Sequence, residues 1–253
     1  VTFFEKKYYK FNGLNLSIET LDGLIKHNGP IKNIYKYKKI LHKDFFNNKL
    51  SFNSHPSLEA QVAAIADDIA YNNHDLEDGL RAGLFSIEDV RTISSISKIA
   101  NKHLKNKRKF RKEILISQIV RDLINMMVID VIKTTLKNIK KYKINKINDI
   151  YKLELPIVEF SYKMKKIDKE IKLFLKYNMY DHNMVIKNTN NGKKIIHKLF
   201  QYLLKNNKKI INKELFKNNN NERVIADFIA GMTDRYAINL YNKIKWIYLR
   251  ITK

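Results

Sequence analysis

The chain contains no cysteine, three prolines and seven glycines among 253 residues. Without cysteine it can build no disulfide frame, no zinc–thiolate site and no cysteine nucleophile. A reducing compartment fits, and a cytoplasmic location is expected. So few turn-formers favour long helices over the tight reversals of a β fold. Strand-like alternation of useful length is also missing, as are internal repeats and any secretory or transit signal. No membrane partner is expected. The longest apolar stretch, Ile114 to Ile132, carries Arg121, Asp122 and Asp130, and three charges near the middle of a span are costly in hydrocarbon. It reads instead as a buried core helix.

Acidic side chains are scarce relative to basic ones, 25 against 49, which leaves a formal charge of +24. Charge of this size speaks to partners and not to fold. A polyanion such as nucleic acid or nucleotide is one reading. The other is compositional drift toward Lys, Asn, Ile and Tyr, as an A/T-rich genome produces. Lysine is scattered through nearly every segment and far outnumbers arginine, the residue favoured for bidentate base contacts. That scatter points first to drift, and an anionic substrate benefits from the field in either case.

Helix signals are frequent. Ser17 can cap a helix through Leu21, Leu24 and Ile25 that stops at Asn28-Gly29-Pro30. Residues 31–54 read as a Lys- and Asn-rich surface loop. A helix follows His55-Pro56. Ser86-Ile87-Glu88-Asp89 resembles a capping box opening a helix to about Leu104. Residues 105–112 form a basic connector, and Glu113 to about Lys140 is apolar on nearly all sides. Lys163–Tyr180 and Lys194–Leu204 show helical spacing, Asn218–Asn221 reads as a polar loop tip, and Glu222–Tyr248 is expected as one last long helix. The fold class expected is all-α.

The helix after His55-Pro56 is the most informative. Asp67, Tyr71, His74, Asp75 and Asp78 stand at i, i+4, i+7, i+8 and i+11 and share a face. Leu58, Val62, Ile65 and Ile69 form an adjacent apolar stripe. Carboxylates and a phenol beside such a stripe are costly to desolvate unless they bind something.

This segment, "SLEAQVAAIADDIAYNNHDLEDGLRAGL" from Ser57 to Leu84, resembles the signature of the bacterial dGTP triphosphohydrolase-like family of HD-domain phosphohydrolases. "GLNLSIETLDGLIKHNGP" (Gly13–Pro30) and "ADFIAGMTDRYA" (Ala226–Ala237) resemble further blocks of that family, in its order, across most of the chain. The resemblance implies a multi-helix HD-type fold, here without the N-terminal helices that carry the first metal ligands. Residues 1–104 would be the C-terminal part of the catalytic domain, with the basic loop at 31–54, and 105–253 the family's helical C-terminal region. The start at Val1, without methionine, agrees with missing upstream sequence.

The activity implied is metal-dependent hydrolysis of a deoxynucleoside triphosphate, dGTP by the family's name, to deoxynucleoside and triphosphate. In such enzymes a divalent ion, Mg²⁺ or Mn²⁺, activates water and neutralises phosphate charge. Ala66-Asp67 matches the family's later metal-binding aspartate. Tyr71 and Asp75 match positions that contact the deoxyribose, where a ring can exclude a 2′-hydroxyl and a carboxylate can accept from the 3′-hydroxyl. The bland alternatives are a surface acid at Asp67 and a core tyrosine at Tyr71. Asp68 is expected in an ion pair. His74-Asp75 is not the metal-binding doublet, which precedes "GLNL" in the family together with the other ligands. The catalytic residues are therefore expected in an upstream segment, and the isolated chain is expected to be inactive.

Tyr180 is a further substrate-binding candidate. It opens "YDHNMV" where the family usually reads Tyr-Arg-His-Pro-Arg-Val, so both arginines are lost. His27 is expected to pack or cap. Arg121 and Arg235 are expected as buried ion-pair partners, for instance of Asp130 and Asp234. Expected partners are a deoxynucleoside triphosphate, nucleic acid as effector, and either further copies or an N-terminal HD half. The competing function is a non-catalytic basic helical protein that binds nucleic acid or regulates a partner. A decaying gene fragment is a third reading.

Overall fold

A computed structural model describes residues 9–10, 14, 16–33, 52–104, 111–206, 210–212, 216 and 220–251, without the side chains of 245–251. Most of the expected loop at 31–54, residues 105–110 of the expected connector and residues 218–219 of the Asn218–Asn221 tract lie outside the described residues. Among the described residues all regular structure is helical.

Two compact units divide the chain between Met179 and Tyr180. The first begins with α1 (Ile18–Ile25), whose Ser17 side chain accepts the Thr20 N–H, and α2 (Leu58–Ala82), capped likewise by Ser57. Gly83 ends α2 with φ 71°, a left-handed conformation that glycine adopts without a Cβ penalty. The Ser86–Asp89 capping box is present, but it opens only α3 (Ile87–Val90). The expected single helix to Leu104 breaks at 91–93. Thr92 Oγ1 donates to the Asp89 carbonyl (2.7 Å) and Ile93 N–H to Val90 (3.1 Å), closing a tight turn before α4 (Ser94–Leu104). Then come α5 (Lys112–Lys141), α6 (Ile147–Tyr151) and α7 (Tyr162–Leu175), the last running into a π-turn at Lys176–Tyr180.

One core joins these helices. Leu76 and Leu80 of α2, Ile96 of α4, Ile116, Ile119, Leu123 and Met127 of α5, and Ile171 and Leu175 of α7 are all but inaccessible. Burying each such side chain contributes about 1.5–3 kcal/mol. Because α4 and α5 share this core, the division expected at 104/105 falls inside a compact unit. Asp122, a charge within the apolar run, is held by Lys102 (3.0 Å) and His103 (2.9 Å) of α4. Lys102, then His103, keeps its carboxyl below the usual range. Arg121 is exposed and not a buried partner of Asp130. Asp130 instead accepts from the Ser161 N–H (2.8 Å) and hydroxyl (2.7 Å), fixing the residue that caps α7.

Burial of α5 on all sides is not met. Toward its C-terminal end Val128, Ile129, Ile132 and Leu136 are 38–55% exposed.

The second unit contains α8 (Asn183–Asn206), α9 (Asn221–Ala230) and α10 (Asp234–Ile251). The long helix expected over Glu222–Tyr248 is two. The chain leaves helical pairing at Gly231–Thr233, and Thr233 Oγ1 accepts the Tyr236 N–H (3.3 Å) to start α10. Arg235 is exposed on α10. Two small clusters hold this unit, Leu203 with Ile211, Val224 and Ile225, and Ile195 with Leu199 and Ile244. Among the described residues no helix is long and apolar enough to cross a membrane.

Candidate functional site

Helix α2 is fixed through polar side chains on its inner face. Gln61 is buried. It donates to the Pro56 carbonyl (2.9 Å) and accepts the N–H groups of Ile157 (2.9 Å) and Val158 (3.1 Å). The 157–158 segment is held from α5 as well, where Asn138 donates to the Ile157 carbonyl (3.0 Å). Three turns on from Gln61, Asn72 donates to Asp168 (2.7 Å), and fully buried Asn73 donates to the Ile69 carbonyl (2.7 Å). Buried amides paired in this way specify register, because losing a partner strands a desolvated polar group.

The outer face carries the residues singled out from spacing. Asp67, Asp68, Tyr71, His74 and Asp78 are exposed, and Asp75 is half-buried. With 65% exposure Tyr71 is no core tyrosine. Asp68 makes an ion pair with Lys172 (3.4 Å), which also holds Asp168 (3.0 Å). Burial alone would lower the Lys172 pKa, but Asp168 and Asp68 outweigh it and raise it.

Asp67 is approached from α1. A Cβ on Gly23 would lie 2.8 Å from Ala60 Cβ, so only glycine lets α1 sit this close to α2. The turn after α1 then places His27 Nε2 3.4 Å from Asp67 Oδ2, with both side chains about half exposed. From the sequence His27 is expected only to pack or cap, and no local periodicity links residues 40 apart. Behind His27, Lys26 and Asp22 form a buried ion pair at 2.7 Å, and Lys26 also reaches the Ser54 hydroxyl (3.4 Å).

A cleft of about 400 Å³ opens beside these groups, lined among others by His27, His55, Asp68, Phe160 and Lys165. Burial pushes the His55 pKa down. Its contact with the Glu154 carbonyl (3.3 Å) opposes this, and the charge of Lys26 adds to it.

Among the described residues no three His, Asp or Glu side chains converge as a metal-binding set. Asp67 and His27 offer two donors, short of the three protein ligands usual at a catalytic transition-metal site. These residues therefore do not by themselves fit a resident metal. Tyr180 belongs to the second unit and is 46% exposed. His182, two residues on, accepts the Met184 N–H (3.3 Å) on its ring nitrogen and so caps the start of α8.

Residues 158–243 match a family model described as a phosphohydrolase-associated domain. Three curated relatives, each named deoxyguanosinetriphosphate triphosphohydrolase-like protein, align along almost the whole chain. The relative from Pelagibacter ubique is 50% identical over 240 residues, covering 95% of this chain and 64% of its own length. Those from Bartonella henselae (39% over 256 residues, 95% and 62%) and Rickettsia typhi (40% over 256 residues, 96% and 64%) align similarly. The chain thus spans less than two thirds of the length of the curated relatives it matches.

Proposed function

Because this chain belongs to the deoxyguanosinetriphosphate triphosphohydrolase-like family, we propose that it supplies the Asp67 face of a deoxynucleoside triphosphate triphosphohydrolase site, completed by residues outside the described ones. The reaction adds water to a triphosphate such as dGTP and yields the deoxynucleoside and inorganic triphosphate. What supports the reading is the outer face of α2. It leaves Asp67 and Tyr71 exposed, one turn apart, with Asp75 half-buried a turn further on, while its inner face is pinned. A nucleic-acid binder has no reason to build an acidic face on its best-anchored helix.

In this proposal Asp67 would supply one carboxylate to a divalent ion, Mg²⁺ or Mn²⁺, whose other ligands would come from outside the described residues. Tyr71 lies against the sugar where a 2′-hydroxyl would project, and Asp75 accepts from the 3′-hydroxyl. Each oriented hydrogen bond of that kind is worth on the order of 1–3 kcal/mol of binding.

Triphosphate release from dGTP, with Mn²⁺ or Mg²⁺ present, tests the reading. The purified chain is expected to release none. The chain joined to the residues that the Pelagibacter ubique relative carries outside the aligned span is expected to release it, and to lose that activity on Asp67→Ala. Turnover by the chain alone, or an unimpaired Asp67→Ala variant, would sink the assignment. Tyr71→Ala should bring dGTP and GTP turnover closer together, and unchanged ratios would place the sugar on another wall.

A further inference from the structure

Val128, Ile132 and Leu136 stand one turn apart on α5, a common face that no other described element covers. Across from them α2 presents Val62, Ala66 and Ala70. Buried Ile69 and Val131 form the floor of the groove between the two helices, which encloses about 540 Å³. Scattered apolar side chains at a surface are ordinary, whereas a contiguous apolar groove marks an interaction site. Its lining is almost wholly apolar, with His74 and Thr135 the polar exceptions.

Two observations point to the occupant. The relatives carry more than a third of their length outside the span they share with this chain. A second copy of this chain would bring two molecules of net charge +24 together, which is unfavourable. We infer that the groove seats a helix from that remaining third, apolar on the face turned inward. Ala66 and Ala70 let such a helix approach α2 closely. Ala66 directly precedes Asp67, so the seated helix delivers side chains to the Asp67 face. This seat rests on the reading of that face as part of a shared site, and deepens it by saying where the rest is held.

The absence of cysteine gives a clean footprint. Ile132→Cys places a single thiol in the groove, and Tyr162→Cys places one at a 77% exposed position on α7. The probe is the polypeptide comprising the residues of the Pelagibacter ubique relative outside the aligned span, added separately or fused to the chain. With the free polypeptide at about ten times its Kd, maleimide labelling of the Ile132→Cys thiol should slow about ten-fold. Labelling of the Tyr162→Cys thiol should stay unchanged, and Ile132→Asp should abolish binding while far-UV helicity is retained. Unprotected labelling in both formats overturns the proposal. So does protection that appears with rising concentration of the chain alone, which would make the occupant a second copy. Protection without triphosphate release leaves the seat standing and sinks the catalytic reading. Release without protection does the reverse.

Discussion

The two polar surfaces of α2 are built on opposite rules. Inward, Gln61, Asn72 and Asn73 are buried and hydrogen-bonded to named partners on the 157–158 segment, α7 and α2 itself. Outward, Asp67, Tyr71 and His74 are exposed and contribute little to holding the helix. A helix anchored by its inner amides keeps the same position whatever the outer residues do. The outer face is then free to be chosen for chemistry, which places precision on the scaffold and function on the surface.

Breaking the inner side should have the largest effect. Leu76 is fully buried at the centre of the core, so Leu76→Ala should cost about 2–5 kcal/mol in denaturant unfolding. A loss below 1 kcal/mol would mean that the α2–α5–α7 packing is looser than described. Gln61→Ala strands the N–H groups of Ile157 and Val158. Urea titration should show a loss of at least about 2 kcal/mol, from roughly 1–3 per buried group left unpaired. At Gly79 an added Cβ would lie 2.3 Å from the Phe85 ring. Gly79→Ala should therefore lower Tm, by overpacking worth about 1–3 kcal/mol, despite the better helix propensity of alanine.

Electrostatics between the two sides sharpens the contrast on a smaller scale. Arg81 reaches Glu77 at 2.6 Å and holds its carboxyl below the usual range, with Ser117 adding to the effect and burial opposing it. A carboxyl depressed on folding contributes stability above its unfolded pKa and loses it as pH falls through the folded value. Stability should thus fade on acidification below the ordinary glutamate range, and Glu77→Gln should flatten that limb. At neutral pH the cost should be about 0.5–1 kcal/mol, since the pair is partly solvated. The smallest effect belongs to the outer face. Asp67→Ala and Tyr71→Ala should each change unfolding free energy by less than about 0.5 kcal/mol. A larger loss in either would show that the outer face is structural after all.

The all-helical class and the starts of α1, α2 and α3 were legible because serine caps and hydrophobic spacing are local signals. The breaks at 91–93 and 231–233 were not, since apolar periodicity runs through both. Threonine side-chain hydrogen bonds interrupt the helices there against propensity. Asp67 and Tyr71 could be placed on one face from spacing alone. Their neighbour His27 could not, because its position follows from how closely Gly23 lets α1 approach Ala60. The open groove on α5 was hidden for a related reason. A continuous apolar run announces burial without saying which side this chain itself covers.

The Asp22–Lys26 pair has a consequence for how this sequence can change. Both side chains are almost inaccessible. Removing either alone leaves a buried charge without its counter-ion, a loss of about 3–5 kcal/mol, whereas exchanging both for apolar residues of similar volume can be neutral. Lysine codons elsewhere in the chain can come and go with base composition at little cost. Lys26 stands outside that traffic: a single-step substitution there leads into a fitness valley, and descendants should keep or lose the two residues together.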